Sequence, residues 1–249
     1  MEPAEVTVGT PTTAVSPDLW YLGVDVAGAK NTWVVGLRRE RDGAVVGWGP
    51  AKCTLQEVVD WAREHRVLAV AIDGQLTASL ADENGFRPCD RAMRASLGSS
   101  GFVNWVASFN SLMAVPVRGR MLAEALAPFV GAVLETHPRF ALWSALDERF
   151  DHALGSYKAK DTPSSVVSEI AAAWIEEFNV RCPHDIADEG ALDALVVATV
   201  AMLFHEKPER LSWPLPAAGD VRGAGPFVAP ALCSSRVAAA ATRSPVSED

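Results

Sequence analysis

Hydrophobic positions change their period along the chain, and each change predicts an element. Trp20 to Ala27 is dense in strand-forming residues, and Asn31 to Arg38 and Ala44 to Trp48 follow it across the turn-like segments Gly28-Ala29-Lys30 and Glu40 to Gly43. The three runs predict an antiparallel meander. From Leu55 the period becomes helical. Leu55, Val58, Val59 and Ala62 share one face, Thr54 stands where a cap belongs, and Gln56 and Glu57 fill the first turn of a helix reaching about His65. Val67 to Ile72 is then a continuous apolar run ending in Asp73-Gly74, the pattern of a strand covered on both faces. Phe129 to Leu134 is a second such run, ending in Glu135-Thr136-His137-Pro138, where Pro138 suits the first turn of a following helix. Between these strands, helices are predicted near 89–97 and 118–127, and the core closes with helical patterns over Pro163 to Asn179 and Ala191 to His205.

This order predicts an α/β domain: a mixed five-stranded sheet, three antiparallel strands and then two parallel ones, flanked by helices, with a helical insertion over about 75–128. It is the element order of the ribonuclease H fold. The folded unit is predicted over 18–230. Residues 1–17 and 231–249, rich in Pro, Thr, Ser and Ala, are expected to be disordered tails.

Composition narrows the class. Of 249 residues, 49% are apolar and 21% charged, which excludes a disordered or fibrous chain. The longest largely apolar run, Ala194 to Phe204, is eleven residues, against the roughly 20 that span a bilayer. Met1 to Pro17 lacks a basic leading segment, so no secretory signal is predicted. The four cysteines form no Cys-x-x-Cys pair, and Cys182-Pro183-His184 by itself makes no zinc site. A cytoplasmic protein without membrane attachment is expected. The net charge of −9 divides unevenly: −5 over residues 1–84, +3 over 85–160 and −7 over 161–249. The middle third therefore offers the one net-basic surface, supplied largely by Arg87, Arg91, Arg94, Arg118, Arg120, Arg139, Lys158 and Lys160.

The chemistry lies in where the carboxylates fall. Asp25 interrupts the first apolar strand, Asp73 ends the next buried strand, Glu135 ends the third, and Asp193 opens the last helix. A carboxylate inside a sheet is costly without a compensating charge, and a divalent cation would supply one. The bland readings are a strand-ending turn for Asp73-Gly74 and a first-turn helix acid for Asp193.

Five segments together resemble an uncharacterised bacterial family of predicted ribonuclease H-like nucleases: Gly23-Val24-Asp25-Val26-Ala27-Gly28 with Trp33, Ala71-Ile72-Asp73, Arg87-Pro88-Cys89-Asp90-Arg91 with Arg94, Glu135-Thr136-His137-Pro138, and Leu192-Asp193-Ala194. The resemblance spans about 23–200. It departs at Gln75, where the family commonly has Pro, and at Lys30-Asn31, where a Gly-rich turn is usual. It implies that Asp25, Asp73, Glu135 and Asp193 form one acidic cluster that binds two Mg²⁺ or Mn²⁺ ions and hydrolyses nucleic-acid phosphodiesters.

Arg87, Arg91 and Arg94, at helical spacing, and Lys158 are the candidate substrate contacts, with internal pairing to Asp90 as the alternative for the arginines. Trp105, beside Asn104, is a candidate for base stacking. Two other functions compete. The segment from Gly23 to Lys30 also resembles the first phosphate motif of sugar kinases of the actin-like ATPase fold. A non-catalytic module using the 85–160 segment for binding would fit the net negative charge.

Overall fold

A reciprocal cap starts the first helix of the protein. Thr54 Oγ1 accepts a hydrogen bond from the Glu57 amide at 3.2 Å, and the Glu57 carboxylate accepts one from the Thr54 amide at 2.7 Å. This helix, α1 (Leu55–Glu64), buries Val58, Val59 and Ala62. It follows the meander β1 (Leu19–Asp25), β2 (Trp33–Glu40) and β3 (Gly43–Lys52), whose strands pair antiparallel in sequence order. The computed structural model describes residues 18–242 apart from 30, 42, 80–83, 99, 113, 213–220 and 224.

After α1 the chain crosses to β4 (Arg66–Asp73), parallel to β1. The short strand β5 (Thr77–Ser79), α2 (Pro88–Leu97) and α3 (Ala114–Leu126) separate it from β6 (Val133–Thr136), which pairs parallel to β4. There follow α4 (Pro138–Ala145), α5 (Asp151–Ser156), α6 (Ser164–Phe178), β7 (Val180–Arg181) and α7 (Glu189–Glu206). The chain ends with β8 (Leu211–Ser212), β9 (Val221–Gly223), β10 (Ala229–Pro230) and α8 (Ser234–Thr242).

The result is α/β, a mixed six-stranded sheet in the order β6-β4-β1-β2-β3-β7 flanked by helices. The sixth strand was not expected. Asn179 adopts a left-handed conformation, φ 52°, at the end of α6 and turns the chain so that two residues of β7 pair parallel with β3. A strand of two residues leaves no periodic signal.

Each face of the sheet has its own core. Leu22, Val24, Val34, Val70 and Ile72 point towards α1 and α3, while Tyr21, Val35, Leu37, Ala69, Ala71 and Leu134 point towards α7. Helix α7 is apolar around its whole circumference because α4 and α6 cover the side that the sheet does not, and Gly190 through Leu203 are all buried. It lies directly on β1. A Cβ at Gly23 would collide with the backbone of Ala194 and Ala198, so only glycine permits this approach.

The last residues correct the expected tail. Residues 234–242 form α8, held by Arg236, which donates to the Leu146 carbonyl at 3.1 Å and pairs with Asp151 at 2.5 Å. The Cys233 amide also donates to the Ser144 carbonyl, at 2.7 Å. The Ala-rich composition that suggests a tail equally suits a short helix once there is a surface to dock on. The expected tail at 1–17 and residues 243–249 lie outside the described residues. Among the described residues no helix is long and apolar enough to cross a membrane.

Candidate active site

Parallel pairing of β1 and β4 sets Asp25 directly opposite Asp73 at the carboxyl ends of both strands. Both side chains fall on the α7 side of the sheet, by alternation from Tyr21, Gly23, Ala69 and Ala71. The close seating of α7 on Gly23 brings in the third acid, Asp193, which is fully buried. Asp193 does not open the helix. Asp188 is the cap, its Oδ1 accepting from the Gly190 amide at 2.9 Å, and Asp193 stands a turn further in. Its carboxylate accepts a hydrogen bond from the Tyr157 hydroxyl at 2.8 Å and forms an ion pair with Lys158 Nζ.

The electrostatics follow from crowding three aspartates around one lysine. Burial, then the charges of Asp73 and Asp193, holds the Asp25 carboxyl well above its ordinary value. Burial pushes Asp73 up to about 7, against the opposing pull of Lys158. Lys158 itself is disfavoured as a cation by burial, but Asp193, Asp73 and Asp25 more than offset this and hold its ammonium charged.

Glu135 is placed differently. It pairs across from Ile72, while Thr136 stands across from Asp73, so Glu135 projects from the opposite face of the sheet. There it receives Arg87 in a two-pronged ion pair, Nη1 to Oε2 at 2.7 Å and Nη2 to Oε1 at 2.5 Å, with the Leu76 amide also donating to Oε2 at 2.8 Å. Asp90 takes the other edge of the same guanidinium: Arg87 Nε donates to Oδ2 at 2.9 Å and Nη2 to Oδ1 at 2.7 Å. All three are buried. Burial opposes the charge on Arg87, and Glu135 and Asp90 outweigh it.

Two of the candidate substrate arginines, Arg87 and Arg94, are therefore committed to protein oxygens. Arg87 is internal. Arg94 donates to the Val103 and Val106 carbonyls, both at 3.0 Å, and ties down the 103–106 turn. Arg91 is exposed and donates to the Phe86 carbonyl at 2.5 Å. Trp105 is stacked on Phe102, ring centroids 4.0 Å apart, with the Arg139 guanidinium near its ring, so it offers no open face to a base. Cys182 donates to the His184 carbonyl at 3.2 Å, a local turn contact.

Comparison of the chain with protein-family models, with curated proteins and with solved structures found no match. The site has to be read from its own chemistry.

Two cavities flank the aspartates, and Lys158 lines both. The one of about 350 Å³ runs from Asp73 to Gln75, Val106, His137, Arg139 and Phe227. The other, about 400 Å³, runs from Asp25 and Asp193 to Asn31, Trp33, Lys52 and Asp188. His137 is neutral at pH 7, pushed down to about 4 by burial. Its Nδ1 accepts from the Phe140 amide at 3.3 Å, which leaves the proton on Nε2 facing the Trp105 carbonyl at 3.2 Å. His137 and Tyr157 carry no role in the sequence reading, although His137 sits in the Glu135-to-Pro138 motif and Tyr157 precedes Lys158, and Arg139 enters it only as part of the net-basic surface.

An oxygen-only donor set at the ends of β1 and β4, with two carboxyls raised chiefly by burial, fits a hard divalent cation. Among the described residues no group of three or more His, Cys, Asp or Glu side chains is arranged as a ready ligand set. Lys158 lies among the aspartates and has to give way for an ion to settle between Asp25 and Asp73. The kinase alternative needs a second Gly-rich phosphate turn, for which the late Gly-rich segment 219–225 is the candidate. Gly219, Asp220 and Ala224 lie outside the described residues, as does Lys30, and Val221–Gly223 is strand β9, paired with β5.

Proposed function

We propose that the protein is a divalent-cation-dependent phosphodiesterase acting on nucleic acid, built on a ribonuclease H-like domain. One observation carries the reading: Asp25 and Asp73 stand in register at the ends of adjacent parallel strands, and burial holds both carboxyls above their ordinary pKa. Asp25 and Asp73 hold Mg²⁺ or Mn²⁺, which supplies charge neutralisation at phosphorus and lowers the pKa of a water. Asp193, locked by Tyr157, positions Lys158, and the ammonium of Lys158 meets the phosphate. Glu135 does not join the donors in this reading. Its charge is consumed by Arg87, and its role is to hold α2 and the wall of the cavity to β6. The sheet order, with three antiparallel strands followed by two parallel ones, supports the fold family, and β7 is an edge addition.

The deciding experiment incubates the protein with labelled single-stranded, duplex, hybrid and branched nucleic acids in Mn²⁺, beside Asp25→Asn, which keeps shape and removes a charge. Cleavage by the wild type and none by Asp25→Asn is expected. Cleavage unchanged in Asp25→Asn would end the reading.

A second reading is favoured by Lys158, whose ammonium already compensates the three aspartates without any metal. A non-catalytic binding module needs nothing more. Binding of nucleic acid with no cleavage and no Mn²⁺ heat by calorimetry would select it.

A further inference from the structure

We propose that the cavity beside Asp73 and Lys158 receives one unstacked nucleotide, with Arg139 holding its phosphate. This names the substrate class of the site described above and rests on that reading for its chemical consequence.

Arg139 is the starting point. It sits in the first turn of α4, immediately after Pro138, with its guanidinium carbon 5.4 Å from the Trp105 ring centroid and 5.5 Å from that of Tyr157. Two aromatic rings thus fix the direction of the planar fork. Its Nε has no hydrogen-bond partner among the described residues, and no carboxylate pairs with it there. Arg87, Arg94 and Arg236 each spend their donors on protein oxygens. Arg139 is held by its two rings and forms no ion pair with a carboxylate among the described residues, although its charge acts on Asp73 across the cavity. A charge held in place and unspent at a cavity wall is a recognition group for an external anion.

The cavity tells what carries that anion. At about 350 Å³ it falls at the lower end of ligand pockets, which run from roughly 300 to 1,000 Å³. It holds one nucleotide and excludes a stacked base pair. Val106, Leu112, Val115 and Phe227 give it an apolar wall for a flat ring, and Gln75, whose Oε1 lacks a partner among the described residues, stands in its lining. The other acids on the wall, Asp90 and Glu135, are both engaged by Arg87, so Asp73 is the carboxylate left to share a cation with the incoming phosphate. A strand end or a flipped-out nucleotide satisfies this geometry, and a continuous duplex does not.

The test titrates nucleoside 5′-monophosphates and inorganic phosphate into the full chain by calorimetry, without metal and with Mn²⁺, and repeats this for Arg139→Gln and Asp25→Asn. Wild type is expected to bind a monophosphate, and inorganic phosphate at least tenfold more weakly, Arg139→Gln to lose at least tenfold, and Asp25→Asn to bind the monophosphate without metal but to lose any gain from Mn²⁺. Slower phenylglyoxal modification of Arg139 in the presence of nucleotide, read by peptide mass, checks the contact without relying on a variant. Competition by an oligonucleotide with a terminal phosphate, at lower concentration than the free monophosphate, assigns the source to a strand end; the reverse order assigns it to a free nucleotide. No binding at millimolar nucleotide, inorganic phosphate as tight as nucleotide, or no protection of Arg139 would overturn the proposal. Polymer cleavage without nucleotide binding overturns this inference and leaves the hydrolytic reading standing. Nucleotide binding without cleavage of any substrate does the opposite.

Discussion

Arg87 and Glu135, separated by 48 residues in sequence, close a buried two-pronged ion pair at 2.7 and 2.5 Å. The pair joins the first turn of α2 to the end of β6, and Asp90 completes it from within α2. Removing one partner of such a pair leaves an uncompensated charge in the interior, a loss of about 3–5 kcal/mol. Arg87→Met should lower unfolding free energy by an amount in that range, measured by urea denaturation. Glu135→Gln should destabilise similarly while leaving Mn²⁺ affinity within about threefold of wild type by calorimetry. A Mn²⁺ site lost in a stably folded Glu135→Gln would return Glu135 to the metal ligands.

The stability of the protein should fall with rising pH through the window set by Asp73. Burial first, and the charges of Asp193 and Glu135 after it, push its folded-state pKa up to about 7 from an ordinary 3.8, against Lys158. The native state therefore binds that proton more tightly than the unfolded chain does. The associated stability is fully present below pH 4 and is lost as pH rises through 7. Melting temperatures without metal should decline between pH 5 and 8, and Asp73→Asn should flatten the decline. Mn²⁺ should flatten it too, because the ion replaces the proton.

Lys158 competes with the cation in the proposed site. In Lys158→Met the apo protein should be less stable at pH 8, with Asp25, Asp73 and Asp193 left uncompensated. Mn²⁺ should then bind about tenfold more tightly, about 1.4 kcal/mol. In a thermal melt this is a metal-induced rise larger than that of wild type by roughly 3–6 °C. An equal rise in both proteins would show that the ion, where it binds, does not displace the ammonium.

Gly23→Ala should be among the most damaging single changes in the core. The added methyl meets the backbone of α7 at Ala194 and Ala198, which no rotamer change relieves. Overpacking of this kind costs about 1–3 kcal/mol and more when backbone must move. Chemical denaturation measures the loss.

The sequence by itself determined the elements and their order. Alternating and continuous apolar runs located β1 to β4 and β6, helical spacing located α1, α2, α3, α6 and α7, and Thr54 with Glu57 marked the start of α1. It also located two of the acids, Asp25 interrupting the first apolar run and Asp73 ending a later one, which the parallel pairing of β1 and β4 then sets side by side. What tertiary structure alone decided was which face each side chain takes. Glu135 ends its run just as Asp73 does, but β6 pairs one residue out of step, so Thr136 occupies the matching place and Glu135 turns to Arg87. A one-residue offset reverses a strand's faces, and no local pattern encodes it. The same holds for charge: Arg87, Arg91 and Arg94 share helical spacing, but only packing assigned Arg87 to two buried carboxylates and Arg94 to two carbonyls. Arg139 lies near two rings because Trp105 and Tyr157, distant in sequence, are both brought to the start of α4.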